Sequence, residues 1–549
     1  MIDLTHPTPQ FRRDSFLSLD GEWQANEQTI RVPYPPQASA SGWQGPVPDN
    51  ITCHRRFTLP GGFPGKGRRL LLHFGAVDQV AYVFLNDRPV MMHEGGYLPF
   101  EADITELVRP GENDLMVEAV DTLSHDYPWG KQSLRPKGMW YTPVSGIWQS
   151  VWLEAVPEKR IRRLRVMPDL TGITIRVDGD GERAQLSIAM PDGGTVSASV
   201  STGCDERIEI PQPRCWSPED PYLYELEICS GEDRVQSYFA LRTVSFGEDA
   251  AGVKRLQLNG KPVFLSAVLD QGYFPEGIYT ALSPEAWAEE AARVQHLGFN
   301  CIRKHIKIEP EAFYTACDTS GVLVLQDMVN SGGYSWFFDT ALPNLGFQHR
   351  PDWLPGDKRR RAFFEKHCRD TQAHLWNHPC VIGYTIFNEG WGQYHTGRLY
   401  EMLKGNDPSR FYDSTSGWFR GYPSDVDSRH VYFRNRRLRP GKRPMLLSEC
   451  GGYSRAVEGH LFLAGEKYGY GEESTEQALT DRIEKMLREM VMPAIPGGLM
   501  GYVYTQITDV EGEINGLYTY DRQVCKVDAG RIRTLNQACT ELLQKAAGG

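Results

Sequence analysis

The sequence has no CxxC pair, and its 11 cysteines are scattered and odd in number. A disulfide framework is therefore not expected, and a reducing compartment is the simpler reading. No run of about 18 apolar residues occurs, so no membrane span is expected. The opening stretch, MIDLTHPTPQFRRDSF, lacks the apolar segment of a secretion signal, which points to a cytoplasmic protein. There is no basic excess: the net charge is −11, which argues against a nucleic-acid or anionic-membrane partner. No GxGxxG opens a dinucleotide-binding unit, and the Gly-rich GGFPGKG (61–67) lacks the strand–helix setting of a phosphate loop, so it reads as a surface turn. HExxH is also missing. His374 and His378 have HxxxH spacing, but Pro379 ends the helix there, so neither a metal nor a cofactor is expected.

What the chain does have is length, aromatic residues and three textures. At 549 residues it exceeds a single core. Its 13 Trp, 25 Tyr and 23 Phe suit a sugar-stacking surface, although aromatics more often fill cores. Residues 1–156 carry short β-runs broken by turns, such as RRLLLHF (68–74), VAYVFLNDRPVMM (80–92) and NDLMVEAV (113–120), and predict a β-sandwich. Residues 157–246 carry some seven further runs and predict an Ig-like sandwich. From 247 onward, strand and helix patterns alternate. SPEAWAEEAARVQHLG (283–298) reads as a helix with Ser283 as cap, Pro284 in the first turn and Gly298 beyond its end. About 300 residues of this rhythm fit a (β/α)8 barrel, with strands near 263–268, 299–304, 322–327, 381–388, 411–414, 430–433, 445–449 and 500–506.

On that map two glutamates occupy equivalent places. VIGYTIFNEGWGQ (381–393) is an apolar strand delivering Glu389 to the barrel's C-terminal face. PMLLSECGG (444–452) does the same for Glu449. A carboxylate at a buried strand end costs free energy unless it is paired, neutralised or used. Two carboxyl groups over one cleft suit glycoside hydrolysis: one donates a proton, the other stays ionised, and unequal surroundings separate their pKa values.

Five blocks resemble glycoside hydrolase family 2 in the right order: GMWYTPVSGIWQSVWLE (138–154), WSPEDPYLYEL (216–226), LGFNCIRKHIKIEPEAFYTACDTSGVLVLQD (297–327), NHPCVIGYTIFNEGWGQ (377–393) and PMLLSECGG. The resemblance spans nearly the whole chain. It implies a sugar-binding jelly-roll sandwich, an Ig-like sandwich and a catalytic TIM barrel. It further implies that Glu389 is the acid/base, Glu449 the nucleophile and Asn388 the ligand of the sugar 2-hydroxyl. Arg303 would then lie beside the nucleophile. Tyr432 is the candidate for the tyrosine bonded to the nucleophile, with His430 competing for that place. His305 is expected near substrate, Asp270 as a sugar ligand or loop carboxylate, and Trp391 as a stacking or packing residue. Asp327 reads equally as structural or ligand-binding.

Departures accompany the likeness. The Glu389–Glu449 interval is short, so strands five and six have short loops. The chain ends soon after strand eight, without the extra C-terminal β-domains of large β-galactosidases. Strand eight, GYVYTQITD, lacks the tryptophan many relatives carry. EGEINGLYTYDR (511–522) lacks the Asn-x-Lys with which β-glucuronidases hold a sugar carboxylate, leaving Lys304 and Lys307 as cations for a uronic acid.

The expected activity is retaining, exo-acting hydrolysis of terminal β-linked sugars in a small carbohydrate substrate, with galactosides as the leading sugar. β-Galacturonidase, β-glucuronidase, α-L-arabinosidase, β-mannosidase and β-xylosidase specificities are the alternatives. A transglycosidase would share every residue, and a non-catalytic carbohydrate-binding protein is the alternative of another class. A homo-oligomer is left open.

Overall fold

The computed structural model describes residues 2–347, 352, 356–463 and 467–548. The first part of the chain forms two facing antiparallel sheets. One has four strands, including Arg68–Phe74 and Val151–Pro157; the other has six, including Asn50–Thr58, Val80–Leu85, Arg88–Glu94 and Glu112–Val120. Alternation explains the layering: Leu115, Val117 and Ala119 point inward while their neighbours are more exposed. The Asn86–Asp87 turn has φ of 54° and 65°, the left-handed pair that a tight hairpin requires.

A second pair of sheets follows, with three strands (Ile161–Pro168, Gly172–Gly179, Asp205–Glu209) and four (Arg183–Ala189, Thr195–Ser201, Tyr224–Ser230, Asp233–Phe239). The seven strands agree with the count read from sequence. We propose that these sheets delimit domains at 1–156, 157–246 and 247–549.

A three-stranded antiparallel sheet (Val244–Glu248, Lys254–Leu258, Lys261–Pro262) leads into an eight-stranded parallel barrel. Its strands, one to eight, are Leu265–Asp270, Cys301–Lys304, Leu323–Asp327, Val381–Phe387, Phe411–Thr415, Asp427–Val431, Met445–Gly451 and Leu499–Thr505. All but the sixth are buried throughout, as expected for a parallel sheet covered on both faces. Hydrogen bonding runs 5-4-3-2-1-8-7-6, so the barrel is nearly closed, with a seam between strands five and six. The alternation with helices is also incomplete. Helices follow strands one, two, three, four, seven and eight, but none lies in 416–426 or 432–444. Each of these stretches is close to the minimum of about a dozen residues for a helical crossover. Strand six begins three residues before its expected start, which puts Tyr432 just past its end.

The two sandwiches are clamped together by Arg13. It donates to Glu154 of the first, and to Asp233 and the Ile161 carbonyl of the second, all at 2.6–2.9 Å and buried. Truncation would leave two buried carboxylates without their cation, at a cost of about 3–5 kcal/mol. Arg13→Ala should lower the first calorimetric transition by roughly 5 °C or more. An unchanged melting profile would mean the clamp contributes nothing.

Candidate active site

Strand geometry decides which side chains meet. Residues 303 and 304 are adjacent on strand two and point to opposite sides. Arg303 enters the barrel, whereas Lys304 points to the helical layer, where its ammonium lies 4.2 Å from the Phe313 ring and pairs with Asp270 and Glu309. Lys307 is also committed, donating to the Gly272 and Tyr279 carbonyls and pairing with Glu309. Neither lysine is available to a substrate carboxylate, which corrects that expectation. Asp270 is the last residue of strand one rather than part of the following loop. Its Oδ1 accepts the Gly272 N–H and its Oδ2 faces Lys304. Both oxygens are spent on the scaffold, so Asp270 is placed as a loop-ordering carboxylate, not a sugar ligand.

Arg303 organises what remains. Fully buried, it donates through Nε to Asp327 at 3.0 Å and through Nη1 to Glu449 Oε1 and the Ser448 carbonyl at 2.9 Å. Its Nη2 reaches Asn388 Oδ1 at 2.9 Å and Ser416 Oγ at 3.2 Å. Burial opposes its charge, but Asp327 and Glu449 more than compensate and raise its pKa. Asp327 Oδ2 also holds His305 Nδ1 at 2.8 Å. Burial, reinforced by the positive charge of Lys131, takes His305 down to about 4. The imidazole is therefore neutral near pH 7, with its Nδ1 proton toward Asp327 and Nε2 left as an acceptor.

Asn388 sits with Oδ1 against two donors, Arg303 and Ser416 Oγ (2.9 Å). Its amide therefore turns its N–H groups away from the protein partners. Glu389 follows at φ 48°, ψ 22°, a left-handed conformation that non-glycine residues adopt rarely and often at functional positions.

Glu389 Oε1 lies 2.9 Å from His430 Nδ1, and His430 Nε2 lies 3.6 Å from Glu449 Oε1. One ligand atom from each of these three residues falls within 4.8 Å of the others. The Tyr432 hydroxyl donates to Glu449 Oε2. Of the two competitors for the place bonded to Glu449, Tyr432 takes it and His430 bonds Glu389 instead. For Glu449, burial alone would raise the pKa, but His430, Arg303, His305 and Lys131 outweigh it and bring the group down to about 2.

Trp391 is buried between Trp140 and Tyr334, with centroids 5.4 and 5.3 Å away, so it packs rather than offering an open face. His378 binds Asp318 at 2.7 Å, and His374 lies 3.9 Å from Glu311, away from the carboxylate pair.

Sequence reasoning missed Ser416, and it missed the contribution of the N-terminal sandwich. The stretch 121–145 crosses the barrel mouth. Trp129 N–H and Nε1 donate to the Asn330 and Gly332 carbonyls (both 3.1 Å), beyond strand three. Tyr141 donates to Glu513 and Thr142 N–H to Glu511, beyond strand eight. Gly130 has φ 71°, and a Cβ there would fall 2.7 Å from the Tyr97 hydroxyl, so only glycine lets this strap lie so close. No local pattern in 121–145 signals it.

Two family models match the chain: the sugar-binding domain of glycosyl hydrolases family 2 over residues 15–157, and the glycosyl hydrolases family 2 domain over 169–242. A β-galactosidase of Thermoanaerobacter pseudethanolicus is 26% identical over 342 residues, covering 58% of this chain and 42% of its own length. A Vibrio cholerae β-galactosidase is 27% identical over 409 residues, covering 69% and 36%. The chain thus spans well under half the length of these relatives. Among solved structures, a β-D-glucuronidase of Dictyoglomus thermophilum superposes with a TM-score of 0.75 at 19% identity, covering 96% of this chain and 98% of that one. A β-galacturonidase of Eisenbergiella tayi bound to galacturonate gives 0.70 at 18% identity, covering 98% and 99%. The matched domains, in this order ahead of the barrel, are those of glycosyl hydrolases family 2, which the chain resembles.

The depressed Glu449 value has a consequence for stability. Ionised Glu449 contributes stability that is present above its ordinary value of 4.5 and is lost as pH falls toward about 2. Glu449→Gln should therefore show a shallower loss of melting temperature between about pH 5 and pH 3 than the unaltered protein. Parallel curves would contradict the depressed value.

Proposed function

We propose that the protein is a retaining, exo-acting glycosidase that cleaves terminal β-linked sugars by double displacement. One observation carries this reading: the Glu389 and Glu449 carboxylates approach within 4.8 Å. That is close to the spacing of about 5–5.5 Å for retention and well short of the roughly 6.5–9.5 Å needed to admit an inverting water.

Glu449, kept ionised, attacks the anomeric carbon. As the carbon–oxygen bond to the aglycone breaks, Glu389 gives its proton to the leaving oxygen. Water then displaces Glu449 from the anomeric carbon, and Glu389 takes a proton from that water. Arg303 and Tyr432 hold Glu449 on its two oxygens, and Asn388 directs amide hydrogens at the position of the sugar 2-hydroxyl. His430 spans the two carboxylates. His305 and Asp327 fix Arg303 and the cleft wall. The substrate is a small carbohydrate, the location cytoplasmic, and no helix among the described residues is long and apolar enough to cross a membrane. The curated relatives are named for galactosides and the structural neighbours for uronides, so these two sugar classes head the substrates to assay.

Glu449→Ala and Glu389→Gln should each lower kcat on unactivated glycosides by about 10²–10⁴-fold or more. Azide should restore turnover to Glu449→Ala with inversion at the anomeric carbon. Product followed by proton NMR should appear first as the β-anomer in the unaltered enzyme. First appearance of the α-anomer, or near-normal turnover in either variant, would defeat the assignment. Tyr432→Phe should lower kcat by on the order of 10-fold or more, since it removes one charge-assisted hydrogen bond to the nucleophile; an unchanged kcat would remove Tyr432 from the mechanism.

A further inference from the structure

Four lysines are buried among the described residues: Lys131, Lys304, Lys307 and Lys526. Three are neutralised. Lys304 pairs with Asp270 and Glu309, Lys307 with Glu309, and Lys526 with Asp509 at 2.7 Å. Lys131 differs. Its ammonium makes no ion pair or hydrogen bond among the described residues, and it lies 5.9 and 6.0 Å from the Tyr141 and Trp391 ring centroids. Those two aromatic faces attract a cation only weakly at that range. Lys131 is 8% exposed and its ammonium is not sealed from water, so a cation without a direct protein partner is left free to receive an anion.

Its position says where that anion would be. Lys131 comes from the sandwich strap, directly after Gly130, and is carried over the barrel mouth by the contacts that tie the strap to the loops beyond strands three and eight. Its positive charge acts on Glu449, His305 and Glu513, and its ammonium lies 6.0 Å from the ring of Trp391, two residues beyond Glu389. The carboxylate of Glu513 accepts from Tyr141 and from Asn515 at 2.9 Å and forms no ion pair with Lys131 within 4 Å. A sugar held with its anomeric carbon between Glu449 and Glu389 would bring its ring substituents beneath the Lys131 ammonium. A neutral hydroxymethyl group there would leave the ammonium without a direct partner. A ring carboxylate would neutralise it.

We propose that Lys131 is a specificity-determining residue that recognises the carboxylate of a hexuronic acid in the cleft, so the preferred substrates are β-linked hexuronides. This rests on the glycosidase reading above and narrows it. The cation is supplied by the sandwich rather than by the barrel, which explains why neither Lys304 nor Lys307 had to remain free.

The test compares kcat/KM for the 4-nitrophenyl β-glucuronide and β-galacturonide with the matching β-glucoside and β-galactoside, in the unaltered enzyme, Lys131→Met and Lys131→Arg. The uronide should be preferred over its neutral partner, and Lys131→Met should cut that ratio by about 30-fold or more, the scale for removing one partner of a buried charge pair. Lys131→Arg should keep part of the preference, since it keeps the charge. Preference for the neutral sugar in the unaltered enzyme, or a ratio that Lys131→Met leaves in place, overturns the proposal. Calorimetric binding of free glucuronate and galacturonate against glucose and galactose gives a readout independent of turnover. Selective binding of the acids that is lost in Lys131→Met supports the proposal even where no glycoside is hydrolysed, an outcome that would sink only the glycosidase reading. Equal binding of acids and neutral sugars overturns it. Thermal melting of each variant confirms that it is folded.

Discussion

The site depends on a single buried guanidinium. Arg303 joins strand two to Asp327 on strand three, Asn388 after strand four, Ser416 after strand five, and Ser448 and Glu449 on strand seven. A charge with no access to water is tolerable only when its donors are matched. Here the matching groups are those that the proposed chemistry needs, so the energetic requirement of the arginine and the geometric requirement of the cleft coincide. The planar fork fixes direction as well as charge, which a lysine at this position would not do.

Around that centre, charges are sorted by pKa and by partner. Glu449 is kept ionised by cations, His305 neutral by burial, and Asn388 turned outward by two donors at its oxygen. His430 lies 2.9 Å from Glu389 and 3.6 Å from Glu449, so one imidazole bridges the pair. A cleft of this kind is preorganised: its dipoles and charges are set before a ligand arrives.

Much of this was legible in the sequence, and the reason is periodicity. Barrel strands are short apolar runs between turn residues, so all eight are visible to within a few residues, the sixth least closely. Glu389 and Glu449 stood out because a charge at the end of such a run is conspicuous. Lys304 was misplaced, and Asp270 left open between two roles, for a reason that is also periodic: a small shift in strand one, and the alternation of strand two, turn these side chains into the scaffold. Trp391 gave no local sign of whether it packs or stacks. The strap was not legible at all. Its contacts join residues hundreds of positions apart, its backbone has no regular period, and a lone Lys131 in YPWGKQSL looks like any surface lysine. Short loops after strands five and six were foreseen from the Glu389–Glu449 interval, whereas the open seam between those strands was not.

The strap also bears on the order in which the molecule can be completed. Tyr141 reaches Glu513 across 372 positions of chain, and contacts of such separation form late because the entropy of closing the loop must be met first. During synthesis the sandwich emerges long before its partner loop beyond strand eight exists. The nascent chain can hold a finished sandwich, and later most of a barrel, without a complete cleft. Competence therefore arrives only after the loop beyond strand eight has emerged and closed under the strap.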